Sequence, residues 1–401
     1  MFYNSIEAAP PDPILGLTEA FRRDPREHKV NLGVGVFVDD AGRTPVLESV
    51  RRAERMLWET EKTKDYLPIA GLPTYGREVA RLVLGDELHA AMAGRVAVGQ
   101  TPGGTGAVRI GMDLLKTYRP DATVWMSSPT WGNHHGIAAA AGLATRDYPY
   151  YDSVRTRVDV DGMCATLEQV PAGDAVLIHV CCHNPTGADL EPEAWERVAA
   201  IAAKAGWLPF FDFAYLGFGE GLAEDRTGLL AVLKRVPEAV VAFSLSKNMG
   251  LYSERVGALL LVAESAESAE VGLSHAKRLG RVLYSNPPRH GAALAALVLG
   301  DPELCALWEE EVKTMRERIR GLRRQLVAGL TARQSAVDFC FIESQHGMFS
   351  FSGLNDAQVA FLREEKAIYM AKGGRINVAG LRSDNMDYVC EAIAESLKLD
   401  E

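Results

Sequence analysis

The apolar positions of this 401-residue chain change rhythm twice. Pro10, Pro11 and Pro13 exclude an opening helix, so residues 1–13 read as an arm that is either frayed or held by another surface, such as a partner subunit. Leu15–Phe21 then reads as a short helix. Val30–Phe37 reads as an extended run whose Gly33 and Gly35 allow close backbone approach, and Pro45–Thr60 as a helix carrying Val46, Val50, Ala53 and Leu57. From about residue 95, short apolar runs alternate with helical segments. Val96–Val98, Thr123–Met126, Ala175–Cys181, Leu208–Phe211, Val240–Phe243 and Ala258–Val262 are predicted strands, with Ala107–Leu115 and Glu193–Ala205 among the helices between them. Such alternation predicts an α/β domain with a largely parallel sheet covered on both faces. After Asp301, Leu304, Trp308, Val312, Met315, Ile319, Leu322 and Leu326 recur every three or four residues, one stripe of a helix too long for a βα unit. That helix leads into a second domain holding Phe339–Glu343, Gly347–Phe351 and the strand-like Arg375–Val378.

Composition narrows the function by exclusion. A net charge of −10 argues against a general nucleic-acid binder. Apolar stretches such as Ala292–Leu299 fall far short of the ~20 residues of a spanning helix, so no membrane is expected. The first residues have neither a basic region nor an apolar core, which makes a cytoplasmic location the default. The six cysteines match no disulfide framework and read as reduced thiols; Cys181-Cys182-His183 lacks the spacing and second ligand cluster of a zinc site, so no metal is expected.

Candidate chemistry gathers at predicted strand ends. Ser244-Leu245-Ser246-Lys247 follows Val240–Phe243, placing Lys247 just past the carboxyl end of a buried strand, where open α/β sheets bind ligands. With two hydroxyls before it and Arg255 eight residues later, Lys247 reads as an amine nucleophile beside an anion site, or as a solvated loop lysine. Gln100–Ala107 is glycine-rich and leads into a helix, so its amides and the Thr105 hydroxyl suit a phosphate; it matches neither nucleotide-binding fingerprint, and an ordinary turn looks the same. Trp131, within Ser128–His134, is placed to lie on a ring, or is core. Asn184-Pro185 suggests a turn whose cis bond aims the amide inward, or a plain loop. Asp212 ends a wholly apolar run and therefore needs a cation or hydrogen-bond donors. Pyridoxal phosphate meets all of these demands at once: its aldehyde wants a lysine, its phosphate wants amides, hydroxyls and an arginine, its ring an aromatic plate, and its ring nitrogen a carboxylate that makes the ring an electron sink.

In these motifs the sequence resembles the class I, fold-type-I aspartate/aromatic aminotransferases, from Ala9–Leu17 to Arg375–Gly380. The most specific matches are Cys182–Gly187, Asp212–Phe218, Ser246–Asn248 with Glu254–Gly257, and Gly347–Ser350. The resemblance implies an arm (1–13), a small domain made of 14–45 and 311–401 with a long linking helix, and a large cofactor-binding domain (46–310) around a mostly parallel seven-stranded sheet. It implies pyridoxal phosphate as cofactor, with Lys247 carrying it and shuttling the proton between the substrate Cα and the cofactor. Gly103, Gly104, Thr105, Ser244 and Arg255 would hold the phosphate, with Tyr66 reaching it from the neighbouring subunit. Trp131 would stack on the ring and border the substrate, Asn184 and Tyr215 would bond the phenolic oxygen, and His134 and His179 would support Asp212. Arg375 would grip the substrate α-carboxylate, assisted by Asn184 and the Gly35 backbone, while Arg281 would reach across a homodimer to a distal carboxylate. Ping-pong kinetics and closure of the small domain on substrate follow from the same resemblance.

Departures from the aspartate-selective pattern surround the expected pocket mouth. Phe37-Val38 stands where Tyr-Lys is common, Asp65 where Asn is common, and Tyr66-Leu67-Pro68 is closer to tyrosine-type members. A less cationic mouth points to an aromatic or dual-specificity enzyme that moves the amino group of tyrosine, phenylalanine, tryptophan or a derivative, and of aspartate, to 2-oxoglutarate; strict aspartate specificity is the alternative. Ser244–Lys247 with Ser383-Asp384-Asn385 also spells the signature of an S-x-x-K acyl hydrolase, but no K-T-G follows and Asp212, Arg255 and Arg375 would have no task. A non-catalytic pyridoxal-phosphate-binding regulator would need an appended DNA-binding region, for which the chain has no spare length. Decarboxylation or β-elimination would share Lys247 and Asp212, whereas Arg375 with Arg281 favours transamination.

Overall fold

In the computed structural model, described here for residues 2–8, 15–333 and 337–400, seven strands form one sheet. They are β1 (Val96–Pro102), β2 (Thr123–Ser128), β3 (Ala144–Pro149), β4 (Ala175–His179), β5 (Leu208–Phe213), β6 (Ala239–Ser244) and β7 (Val256–Val262), in the spatial order β1-β7-β6-β5-β4-β2-β3. From β6 to β3 neighbouring strands run parallel, and β7 is antiparallel to both β6 and β1. Every residue of β4, β6 and β7 is buried, which is why these strands read as unbroken apolar runs rather than alternating ones. Each fully buried Val, Leu or Phe there contributes about 1.5–3 kcal/mol relative to exposure.

β3 escapes the sequence reading. Its residues Ala-Thr-Arg-Asp-Tyr-Pro are mostly exposed, and charge and proline on an edge strand hide its apolar signal while discouraging pairing with another chain. The helix Gly103–Tyr118 packs on β7 and β6, and Ala266–Leu283 packs on β1. Pro192–Ala205 opens with proline and closes on Gly206 at φ 75°, a left-handed cap that glycine adopts without steric cost.

The described chain divides into two compact units, residues 44–318 with 345–347, and residues 1–43 with 319–344 and 348–401. The prolines of the proposed arm, Pro10, Pro11 and Pro13, and the start of the Ala9–Leu17 motif lie outside the described residues. A 31-residue helix, Pro302–Ala332, runs through the division at residue 318, and its predicted stripe from Leu304 to Leu326 is buried throughout. In the larger unit Trp308 is fully buried and its Nε1 donates to the Asn248 carbonyl at 2.9 Å, anchoring the helix beside the segment after Lys247. In the smaller unit Val30–Asn31 pairs in parallel with Ile368–Tyr369, and Phe349–Phe351 pairs antiparallel with Arg375–Asn377. Beyond Asn31 the expected extended run leaves the ladder: the Asn377 side-chain amide donates to the carbonyls of Val34 (2.7 Å) and Val36 (2.8 Å), so a side chain replaces the missing strand partner.

Candidate active site

The apolar runs of β5 and β6 end in polar groups, and adjacency of the strands brings those ends together. Asp212 is the last residue but one of β5, after the buried Phe210 and Phe211, with His179 beside it in register on β4 and Ala242 on β6. Its Oδ2 lies 2.9 Å from His134 Nε2, and His134 Nδ1 lies 2.9 Å from Thr130 Oγ1. An ionised Asp212 can only accept, so His134 donates to it through Nε2, with the Thr130 hydroxyl hydrogen-bonded on the Nδ1 side of the ring. Burial pushes the Asp212 pKa up, but the His134 hydrogen bond and the charges of His134, His179 and Lys247 outweigh it and leave the carboxyl below its usual value. The acid that the sequence left in need of a partner is thus held charged inside the protein. His179 is buried, and desolvation with the nearby His134 holds its pKa down at about 4.

Lys247 follows β6 by three residues. Its Nζ stands 4.8 Å from the centre of the Tyr215 ring. Burial of its surroundings holds the ammonium below the usual lysine value, Asp212 pulls it back up and Arg255 pushes it down. A lysine that sheds its proton readily is a better nucleophile and proton carrier.

An anion cradle forms where β1, β7 and β6 meet. Gly257 of β7 lies opposite both Thr101 on β1 and Ser244 on β6. The Gly103 N–H donates to the Arg255 carbonyl at 2.9 Å, and Gly103 itself has φ +73°. A Cβ on Gly103 would fall 2.4 Å from Arg255 Nη2, and one on Gly104 would fall 3.2 Å from the Ser244 Cβ. Arg255 Nη1 donates to the Tyr252 carbonyl at 3.0 Å. The helix Gly103–Tyr118 follows Pro102, which supplies no side-chain cap, so the first-turn amides beyond Gly103, Thr105 among them, are suited to an anion. Trp131 is half-buried, with its ring 5.1 Å from that of His134 and perpendicular to it. Asn184 is buried and joined to Pro185 by a cis bond, the conformation that Asn-Pro suggested.

Two site candidates of the larger unit stand apart from this group. Tyr66 is 93% exposed, and Arg281 is an exposed helix residue donating to the Ser285 hydroxyl; among the described residues neither is hydrogen-bonded to Lys247 or Asp212. In the smaller unit Arg375 is buried, donates to the Gly33 carbonyl at 2.6 Å and lies 4.4 Å over the Phe349 ring. A Cβ on Gly35 would strike Phe349 at 2.4 Å, so glycine is required there by packing. The structure therefore gathers Arg375 with the Gly33–Gly35 segment.

Several contributors carry no signal in the sequence. Thr130 orients His134 from four residues away, and Asn377 holds the Gly35 segment from over 340 residues away. Asp225 accepts four backbone N–H groups from Gly217, Gly219, Glu220 and Gly221 at 2.7–3.3 Å and so shapes the loop after Tyr215. Asp225 also lies near Cys181 and Cys182. Its oxygens are taken by these amides, and burial holds the Cys181 thiol well above its ordinary pKa, so this cluster makes a poor metal site.

The residues suit pyridoxal phosphate by a direct criterion. Both ring nitrogens of His179 are buried without a hydrogen-bond partner among the described residues, and the Gly103–Thr105 amides begin a helix with no capping side chain. Unpartnered polar groups beside a charged acid and a lysine whose pKa is lowered are what a polar, phosphorylated ring would satisfy.

An amine, a buried acid and an anion cradle at the carboxyl edge of a parallel sheet mark an α/β enzyme that handles a phosphorylated, amine-reactive ligand. The chain belongs to the family described as aminotransferase class I and II, whose sequence model matches residues 27–393. It is 48% identical over 395 residues to the aspartate aminotransferase of Haemophilus influenzae, covering 98% of this chain and 100% of that one. It is 46% identical over 393 residues to the aromatic-amino-acid aminotransferase of Pseudomonas aeruginosa, covering 98% of each. The aromatic-amino-acid aminotransferase of Burkholderia pseudomallei, solved covalently bound to pyridoxal phosphate, superposes with a TM-score of 0.95 at 46% identity, over 99% of this chain and 100% of that one.

Proposed function

We propose that this aminotransferase uses pyridoxal phosphate to move amino groups from both aspartate and aromatic amino acids to 2-oxoglutarate in a ping-pong cycle. The observation that carries the reading is the pairing of Lys247, its pKa lowered, with Asp212, held ionised by His134, at the ends of adjacent strands. Relatives of both specificities at 48% and 46% identity support the dual range, as do Phe37-Val38 and Asp65, which lower the positive charge expected around the mouth.

When bound, the cofactor supplies an aldehyde for the lysine and a ring that withdraws electrons from the substrate Cα. Lys247 would hold the cofactor's aldehyde and would carry the proton to and from the substrate Cα. Asp212 would keep the cofactor's ring nitrogen protonated, and the Thr130–His134 contact holds Asp212 in its ionised form. Gly103, Gly104, Thr105, Ser244 and Arg255 would hold the phosphate, Trp131 would cover the ring, and Asn184 and Tyr215 would bond its phenolic oxygen. Arg375 binds the α-carboxylate beside the Gly35 backbone, a bidentate recognition that lysine could not reproduce. Tyr66 and Arg281 serve the neighbouring subunit's site in a homodimer, which fits their exposure in the single chain. Six free thiols suit a reducing, cytoplasmic setting.

Two measurements test this. Borohydride reduction followed by peptide mass analysis is expected to fix the cofactor on Lys247, and Lys247→Ala to lower kcat by at least about 10⁴-fold. A panel of amino donors with 2-oxoglutarate is expected to give kcat/KM for aspartate and phenylalanine within about two orders of magnitude of each other, a gap of under roughly 3 kcal/mol. A larger preference for aspartate would replace the dual reading with strict aspartate specificity.

A further inference from the structure

β1 is the edge strand of the sheet, and its outer side is closed by loops rather than by another strand. The residue that closes it is Gln100, which is 3% exposed and lies opposite Ala258 of β7. Its backbone N–H donates to the Ala70 carbonyl at 2.9 Å. Its side-chain Oε1 accepts the Leu72 N–H at 3.0 Å, and its Nε2 donates to the Pro288 carbonyl at 2.6 Å. The Tyr284 hydroxyl donates to the Gln100 carbonyl at 3.4 Å. One side-chain amide thus ties the irregular segment 61–72 to the turn 284–289. Two further links follow the same line: Asn286 Nδ2 donates to the Leu67 carbonyl at 3.2 Å, and Arg289 pairs with Glu61 at 2.9 Å.

Residue type is constrained at this position. The site asks for one acceptor facing a backbone N–H and one donor facing a backbone carbonyl, from a single planar group, and among side chains of this length only glutamine supplies both. Gly71 completes the fit: it has φ +88°, and a Cβ there would lie 2.2 Å from the Gln100 Cβ. One of the segments joined in this way bears Tyr66, and the other, the turn 284–289, directly follows the helix Ala266–Leu283, whose last turn carries Arg281. Among the described residues little holds either side chain: Tyr66 is 93% exposed, and Arg281 has a hydrogen bond to nearby Ser285.

We propose that Gln100 is a positioning residue for substrate selection: by bracing segment 61–72 against the turn 284–289 it sets the direction in which Tyr66 and Arg281 project, and so favours dicarboxylate over aromatic substrates. The inference rests on the reading given above, in which Arg281 meets a substrate's distal carboxylate. A brace of purely structural value would affect all donors alike. A positioning brace acts on the donor that needs Arg281.

The test uses the holoenzyme at saturating cofactor and follows single half-reactions with aspartate and with phenylalanine. Gln100→Leu removes both links. Gln100→Glu keeps the acceptor for Leu72 and opposes a carboxylate to the Pro288 carbonyl; it also serves if the leucine variant does not fold. Both variants are expected to raise the KM for aspartate about five- to fiftyfold while that for phenylalanine changes less than about twofold, and neither is expected to add to the defect of Arg281→Ala when combined with it. Amide exchange at Leu72 is expected to speed up in Gln100→Leu and to stay slow in Gln100→Glu. A parallel rise in KM for both donors, or an aspartate KM unchanged in both variants while Arg281→Ala raises it, overturns the role of Gln100 alone. An aspartate KM unchanged in Arg281→Ala itself overturns the reading of Arg281 and the inference with it.

Discussion

Asp212 shows how a charge is kept where the surrounding chain is apolar. Burial pushes it toward the neutral form, and the hydrogen bond from His134, itself aligned by Thr130, helps to reverse the balance. His179 is treated in the opposite way: it is buried with no partner for either ring nitrogen among the described residues, and its pKa falls from 6.5 to about 4. The unfolded chain takes up this proton below pH 6.5 and the folded chain only below about 4, so stability is full above pH 6.5 and drops as pH falls through that window. The loss attributable to His179 reaches about 3 kcal/mol by the lower end. Urea unfolding of the wild type and of His179→Asn between pH 7 and pH 4.5 is expected to show a shallower decline in the variant. Equal slopes would mean that His179 is not the group responsible.

Packing of strand ends decides whether the cradle exists at all. Gly257 lies on β7 between β1 and β6, and a methyl group placed on it would come within 2.3 Å of the Gly103 carbonyl carbon. Backbone cannot swing aside as a flexible side chain can, so Gly257→Ala is expected to part β1 from β7 at the point where the Gly103 N–H meets the Arg255 carbonyl. The cost should be about 1–3 kcal/mol in unfolding free energy. Cofactor release from the purified holoenzyme, followed by absorbance, should quicken as well, whereas a comparable loss of stability with unaltered release would show that the cradle does not depend on this contact. Strands such as β4 and β6 were legible because burial on both faces leaves no polar position to confuse them, and β3 was not because an edge strand is built to look unlike one.

A chain of 43.6 kDa that leaves Trp58, Tyr66 and Val282 at least 84% exposed presents apolar surface that solvent alone does not reward. The homodimer proposed above would cover part of it, and an obligate interface of this kind buries more than about 2,000 Å². Mixing Lys247→Ala with Arg281→Ala protein after subunit exchange is expected to restore about one quarter of wild-type aspartate turnover, because half the dimers are mixed and each then has one intact site out of two. No recovery, with mixed dimers demonstrated by sedimentation or native mass spectrometry, would place both residues in a single subunit's site.

Order along the chain was enough to predict most strands of the sheet, the long helix and the aminotransferase class, and to single out the lysine, the acid and the glycine-rich turn as candidates, since those depend on periodicity and on short motifs that each lie within one local segment. It could not show that Thr130 aligns His134, that Asn377 clasps Val34 and Val36, that Asp225 gathers four amides, or that Gln100 joins two loops. Each of those contacts is made by a polar side chain with no periodic signature, to a backbone group or ring whose position only the folded chain sets. Hydrophobic pattern is a property of neighbours in sequence; hydrogen-bond partnership is a property of neighbours in space.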